Sequence, residues 1–137
     1  MSLWRLLGDI YVVRMDKTIF RAYDIRGVYP KSLDEDGAYE ISLAYGNLLS
    51  KARTIAVGND GRESGLAIKP HVIKGLMDAG KDVIDVGTVP SPVLYFTVAH
   101  YGLDGGIEIT GSHNPPEYIG MKLQKEKALP VYGKDIE

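Results

Sequence analysis

Residues 54–86 read TIAVGNDGRESGLAIKPHVIKGLMDAGKDVIDV, and this stretch holds two short apolar runs with a helical pattern between them. The first run, 54–58, is followed directly by turn residues, which is typical of a buried strand. Apolar side chains then recur at helical spacing over 67–79, and Pro70 is expected in the first turn of this helix. The second run, 82–86, predicts another strand. A strand, a helix and a strand of these lengths predict a crossover connection between parallel strands.

The same alternation continues on both sides of this unit. Ser32-Leu33-Asp34-Glu35 resembles a capping box and precedes a helical pattern. Ser91, followed by proline, predicts the N-cap of another helix. The runs 106–110 and 121–124 predict two further strands, and no core element is expected after Gln124. Strands separated by helices of this length predict a largely parallel sheet with helices on both faces.

Length and composition restrict the class of protein. The chain has 137 residues, which corresponds to one globular domain. A formal charge of −2 argues against a nucleic-acid-binding surface, and the absence of cysteine excludes disulfides and thiolate metal sites. Three histidines make a structural zinc site improbable. No apolar run approaches the ~18 residues that a membrane span needs. The simplest location for such a protein is the cytoplasm.

The first fourteen residues stand apart from these patterns. They are fairly apolar, but Arg5, Asp9 and Arg14 interrupt them, and no signal-peptide cleavage site follows. Residues 1–14 are therefore interpreted either as an extension, through cloning or a misplaced start codon, or as a genuine edge strand. Burial of Trp4 against the domain core would exclude the extension.

The candidates for chemistry are the loop that contains Ser112, the segment that contains Arg26, and Arg62. The loop after the predicted strand 106–110 presents Ser112 behind a glycine, and in an open α/β sheet ligands bind beyond the carboxyl ends of the strands. From composition alone, an ordinary Ser/Asn/Pro turn is the favoured interpretation of this loop. Arg26 could bind a phosphate through two N–H groups or could simply pair with Asp24. Arg62 also follows a strand and is a weaker candidate for a phosphate contact.

Taken together, FRAYDIRG at 20–27 and TGSHNP at 110–115 resemble the α-D-phosphohexomutases, in their phosphomannomutase/phosphoglucomutase branch. GNDGR at 58–62 and GTVPSP at 87–92 are also similar to family segments in the same order. The resemblance covers about residues 18–123. It implies a three-layer α/β/α domain with a mixed, mainly parallel sheet, as in the first domain of phosphoglucomutase. Residues 15–137 would then be domain I, and the family's other three domains are absent.

The resemblance also implies an activity. An enzyme with a phosphoserine at Ser112 would interconvert the 6-phosphate and the 1-phosphate of glucose or mannose through a hexose 1,6-bisphosphate. This bisphosphate would also act as an activator. Such an isomerase requires Mg²⁺, which Ser112 would contact through its phosphate while an Asp-Gly-Asp-x-Asp loop in a missing domain supplies the other ligands. Alone, this domain is expected to be inactive.

The resemblance assigns roles to individual residues as well. The implied catalytic residues are Ser112, Arg26, Lys122 and His113. The implied substrate-binding residues are Tyr23 and Asn114, and Arg62 joins them as the phosphate-contact candidate. The expected partners are a phosphosugar and the missing domains II–IV, with no nucleic acid and no membrane. A homodimer through exposed interdomain surface is a further hypothesis. Gly111 departs from the alanine that is usual before the family's serine.

Two other interpretations stay open at this point. The chain could be a stand-alone module that binds a phosphosugar or a protein without catalysis, or a hydrolase that uses Ser112 and His113. An Asp-Gly-Asp-x-Asp loop encoded beyond Glu137 would favour the mutase, and an immediate stop codon would favour the module.

Overall fold

The computed structural model describes residues 2–6, 9–13 and 15–137, with side chains from 15 onward except at 134. The strands are β1 (Ser2–Leu6), β2 (Asp9–Val13), β3 (Ile25–Val28), β4 (Thr54–Asn59), β5 (Asp82–Thr88), β6 (Gly105–Ile109), β7 (Tyr118–Lys125) and β8 (Pro130–Val131). The helices are α1 (Glu35–Leu48), α2 (Glu63–Asp78), α3 (Ser91–His100) and the short α4 (Gly133–Ile136). Two 3₁₀ turns lie at Lys17–Ile19 and Glu126–Ala128.

Six strands form one mixed sheet in the order β3-β7-β6-β4-β5, and β8 pairs with β7 beside β3. β4 is parallel to both β5 and β6. β7 is antiparallel to β3, β6 and β8. The expected α/β fold with a mixed sheet is therefore confirmed, and its parallel part is limited to β6-β4-β5.

The helices cover both faces of this sheet, because successive side chains of a strand point to opposite sides. Ile55 and Val57 on β4 pack into a core cluster with residues of α1 and α2. Ala56, which lies between them, packs with Leu94 and Val98 of α3 on the other face. The result is the predicted three-layer arrangement.

Helix starts differ from the sequence predictions. Asp34 caps α1, since its Oδ1 accepts the Gly37 N–H at 2.8 Å, whereas the Ser32 N–H donates to a turn carbonyl. Ser91 is the first residue of α3 and not its N-cap. α2 begins a turn earlier than expected, so Pro70 lies in the helix interior, on its exposed face.

The last residues also contribute to the core, contrary to the expectation for the chain after Gln124. Val131 is only 5% exposed and packs in the same cluster as α1 and α2. The segment 130–136 thereby folds back over the β3 side of the sheet.

The N-terminal strands β1 and β2 pair with each other, antiparallel, as a separate two-stranded sheet. The side chain of Trp4, whose burial would decide between an extension and an edge strand, lies outside the described side chains, so that interpretation stays a prediction. Within the described ranges, none of the helices has the length and apolar character that a membrane crossing requires.

Candidate active site

The loops that carry the candidate residues meet at the carboxyl ends of β4 and β6. β4 is the first of the three parallel strands in the chain, and the other two, β5 and β6, lie on opposite sides of it. The strand order therefore reverses between β4 and β6, which makes this junction the topological switch point of the sheet. Ligands of open α/β sheets bind at such points. The Asp60 N–H donates to the Ile109 carbonyl at 2.9 Å and ties the two loops together.

A cleft of about 420 Å³ opens beside this junction. Its lining residues are Arg21, Ala22, Tyr23, Asp24, Arg26, Ser112 and Lys122. Four of the residues that the sequence singled out therefore share one cleft although they are up to about a hundred positions apart in the chain. Three cationic side chains and one carboxylate line this cleft together with Ser112, and this excess of positive charge suits an anionic ligand such as a phosphate.

Arg26 enters the cleft from β3, which pairs with β7. Its Nη2 lies 3.0 Å from Asp24 Oδ2, so the ion pair considered in the sequence is present. Its Nη1 also donates to Asn114 Oδ1 at 3.5 Å, which links β3 to the Ser112 loop. Its Nε is buried without a partner among the described residues. The guanidinium is thus oriented by two side chains, and Nε is among the donors that these contacts leave unused.

Ser112 occupies a backbone conformation that is uncommon for residues other than glycine. Its φ of 55° lies in the left-handed region. The Ser112 N–H donates to Thr110 Oγ1 at 2.9 Å, and the side chain is only partly buried. The serine therefore sits at the rim of the sheet, beside the cleft, and not inside the packed core.

The other loop residues divide into structural and exposed ones. Asn114 closes the turn, since its backbone N–H and its Nδ2 both donate to the Gly111 carbonyl, at 3.0 and 2.8 Å. His113 is exposed and is not part of the cleft lining, and no hydrogen bond joins it to Ser112 in the described part of the chain. Tyr23 is 76% exposed at the cleft mouth, where its ring meets Tyr132 edge-on at 6.0 Å.

Lys122 lies on β7 directly opposite Glu108 of β6. Glu108 is fully buried, and neither carboxyl oxygen has a hydrogen-bond partner among the described residues. Burial, together with the nearby charge of Asp60, raises the pKa of Glu108 to about 8. A carboxyl whose pKa is raised in this way favours its neutral form at neutral pH, and it lies on the strand beside the lysine that lines the cleft.

Arg62 occupies a different position from the other candidates. It does not line the cleft but lies on the far side of the Ser112 loop, where its guanidinium donates to four backbone carbonyls. Asp60, 3.3 Å from Arg62 Nε, accepts from both Thr110 and Gly111. These contacts make Arg62 and Asp60 part of the loop's framework.

Sequence reasoning did not select Arg21, Glu108 or Asp60. Arg21 stands within the FRAYDIRG segment, so its charge beside that motif was the available signal. Glu108 interrupts an otherwise apolar strand, which is itself a sign of an unusual environment. Asp60 looked like an ordinary turn residue, and only the meeting of two distant loops reveals its role.

The fold and the cleft define a class of protein, namely a three-layer α/β/α domain with a serine and several cations beside the switch point of its sheet. The sequence profile described as "Phosphoglucomutase/phosphomannomutase, alpha/beta/alpha domain I" matches residues 17–137. The chain belongs to this family.

Individual relatives agree with that assignment. A phosphomannomutase of Escherichia coli is 49% identical over 116 residues, which are 85% of this chain and 25% of the relative. A phosphomannomutase of Klebsiella pneumoniae is 48% identical over 116 residues, 85% of this chain and 73% of the relative. The crystal structure of a family protein from Burkholderia thailandensis superposes with a TM-score of 0.80 at 41% identity, covering 90% of this chain and 29% of that one. The chain thus spans about a quarter of the length of the E. coli relative.

Proposed function

We propose that this chain is the phosphoserine-bearing domain of a hexose-phosphate mutase acting on glucose or mannose phosphates. The observation that carries the proposal is the single cleft lined by Ser112, Arg26 and Lys122. The names of the relatives support the reaction class, since they are phosphomannomutases.

The first chemical step is transfer of the phosphoryl group from Ser112 to a free hydroxyl of a hexose monophosphate. The P–O bond to the serine breaks, a P–O bond to the sugar forms, and the proton of the sugar hydroxyl moves to the serine oxygen. The sugar is then a 1,6-bisphosphate. After it turns around, its other phosphate returns to Ser112, and the proton moves back to the sugar oxygen that is released.

The residues of the cleft meet the electrostatic demands of this step. A phosphoserine carries nearly two negative charges at neutral pH, and phosphoryl transfer depends mainly on positioning and charge stabilisation. Arg26 and Arg21 supply permanent positive charge beside the transferring group. Lys122 adds a third cation and is the group proposed to carry the proton between the sugar and serine oxygens. Tyr23, exposed at the mouth, is proposed to contact the sugar.

Mg²⁺ belongs to the proposal for the whole enzyme, and this domain does not provide a complete site. In the described residues there is no group of three or more His, Cys, Asp or Glu side chains that could hold a metal. The phosphorylated Ser112 would contribute one ligand, and the remaining ligands are proposed to lie in another domain. We accordingly propose that the domain alone is inactive. We also propose that the complete enzyme acts in the cytoplasm.

One observation favours a second candidate, a stand-alone module that binds phosphosugars without catalysis. The K. pneumoniae relative is itself a short chain, since 116 matched residues make up 73% of it. This chain by itself also supplies a cation-lined cleft. Such a module would bind phosphate without becoming phosphorylated.

The test is incubation of the complete enzyme with glucose 1,6-bisphosphate, followed by mass spectrometry of the intact protein and of its peptides. The mutase predicts one phosphoryl group on Ser112, and Ser112→Ala in the complete enzyme should lower turnover by at least about 10³-fold. Ser50→Ala, at an exposed serine far from the cleft, is the control. Near-normal turnover of the Ser112 variant would exclude the proposed role, and binding without phosphorylation would favour the module.

A further inference from the structure

The guanidinium of Arg62 is fully occupied by the backbone of the Ser112 loop. Its Nη1 donates to the carbonyls of Pro115 at 2.6 Å and Tyr118 at 3.0 Å. Its Nη2 donates to the carbonyls of Ser112 at 3.2 Å and Asn114 at 2.7 Å. These four bonds use the two N–H groups of each terminal nitrogen. None of these donors remains for a substrate phosphate.

The third nitrogen faces a carboxylate that also holds the same loop. Arg62 Nε lies 3.3 Å from Asp60 Oδ2. That oxygen accepts from Thr110 Oγ1 at 2.9 Å and from the Gly111 N–H at 3.0 Å, while Thr110 Oγ1 in turn accepts the Ser112 N–H. Both backbone polar groups of Ser112 are therefore held, the N–H through Thr110 and the carbonyl by Arg62.

Gly111 is the feature that lets the arginine approach. A Cβ atom at this position would overlap the Arg62 guanidinium, at Cζ, Nε and Nη1 alike. An alanine at position 111 would therefore require the Arg62 guanidinium to move from the place that it occupies here.

We infer that Arg62 is a positioning residue: with Asp60 it holds Ser112 in its left-handed conformation beside the cleft, and it does not bind the substrate. The inference rests on the proposed role of Ser112 and replaces the phosphate contact expected for Arg62 from the sequence. A left-handed conformation is unfavourable for a residue other than glycine and persists only where its surroundings enforce it. Six contacts from Arg62 and Asp60 supply that enforcement.

The experiment separates positioning from substrate binding by measuring three quantities on the complete enzyme that contains this domain. They are the amide hydrogen exchange of Ser112 and Asn114, the rate of Ser112 phosphorylation by glucose 1,6-bisphosphate, and the dissociation constant for inorganic phosphate. Arg62→Gln should speed exchange by about 10-fold or more and slow phosphorylation by about 10- to 100-fold. The phosphate dissociation constant should stay within about 2-fold, because Arg62 has no free donor.

Two further variants keep the outcome interpretable. Arg53→Gln is the matched control, since this exposed arginine pairs with Asp82 at the opposite end of the sheet and should change none of the three quantities. Gly111→Ala keeps the arginine but displaces it, and should reproduce the faster exchange and slower transfer even if Arg62→Gln does not fold. In the Arg62→Ala background, Gly111→Ala should add little, because the overlapping group is gone.

The inference is overturned if Arg62→Gln weakens phosphate binding about 10-fold while loop exchange is unchanged, since Arg62 would then be a ligand contact. It is also overturned if exchange quickens and transfer does not slow, because the role would then be structural only. Absence of phosphorylation in the unsubstituted complete enzyme would count against the proposed function instead, and the exchange comparison would still decide whether Arg62 holds the loop.

Discussion

Replacement of Glu108 by glutamine should change how the stability of the domain depends on pH. Glu108 is fully buried on β6, its carboxyl oxygens have no partner among the described residues, and its pKa is raised to about 8. Between the ordinary pKa of 4.5 and about 8, the unfolded chain is ionised at this residue while the folded chain keeps the proton. The unfolded state then binds fewer protons, so the free energy of unfolding falls as pH rises.

The size of the effect follows from the two pKa values. The stability linked to Glu108 is fully present below pH 4.5 and is lost by about 1.4 kcal/mol for each pH unit up to about 8. From pH 5 to pH 7 the unsubstituted chain should lose about 2.5 kcal/mol relative to Glu108→Gln, since glutamine does not titrate. All other groups are common to both proteins and cancel in the difference.

The measurement is urea unfolding, followed by circular dichroism, of both proteins at half-unit steps from pH 5 to pH 8. Glu126→Gln, at an exposed carboxyl, controls for the substitution itself. Parallel stability curves for the unsubstituted and Glu108→Gln proteins would refute the reasoning. They would mean that Glu108 is ionised in the folded state, with Lys69 and Lys122 as the candidate partners, since the charges of both act on this carboxyl.

Two further predictions concern the framework of the domain. Asp34→Ala should lower the free energy of unfolding by about 1 kcal/mol, because α1 loses the hydrogen bond from the Gly37 N–H. Ser32→Ala should change this free energy little. If denaturant titrations gave the larger loss for Ser32→Ala, Ser32 would be the cap. Gly58→Ala should cost about 1–3 kcal/mol, because the new Cβ would lie 2.6 Å from Glu108 Oε2; an unchanged thermal midpoint would show that this carboxyl can move aside.

The alternation of apolar strands and amphipathic helices is local information, and it was sufficient for the class of fold. Period-2 and helical patterns place side chains on faces, so β4, α2 and β5 could be recognised from the sequence. Their exact starts were less accessible, because Ser32 and Asp34 are both good caps and only the turn that precedes α1 selects between them. The antiparallel pairing of β7 with three strands also depends on contacts that no local pattern encodes.

The sequence by itself singled out the two segments whose residues line one cleft, because the residues of FRAYDIRG and TGSHNP are contiguous and their order is distinctive. Only the tertiary structure decided how the cations are used. Arg26 and Arg62 have the same side chain, yet the first lines the cleft and the second donates hydrogen bonds to four backbone carbonyls of one loop. Hydrogen-bonding capacity is finite and is allotted by neighbours from distant parts of the chain, so the role of an arginine follows from its surroundings and not from its type.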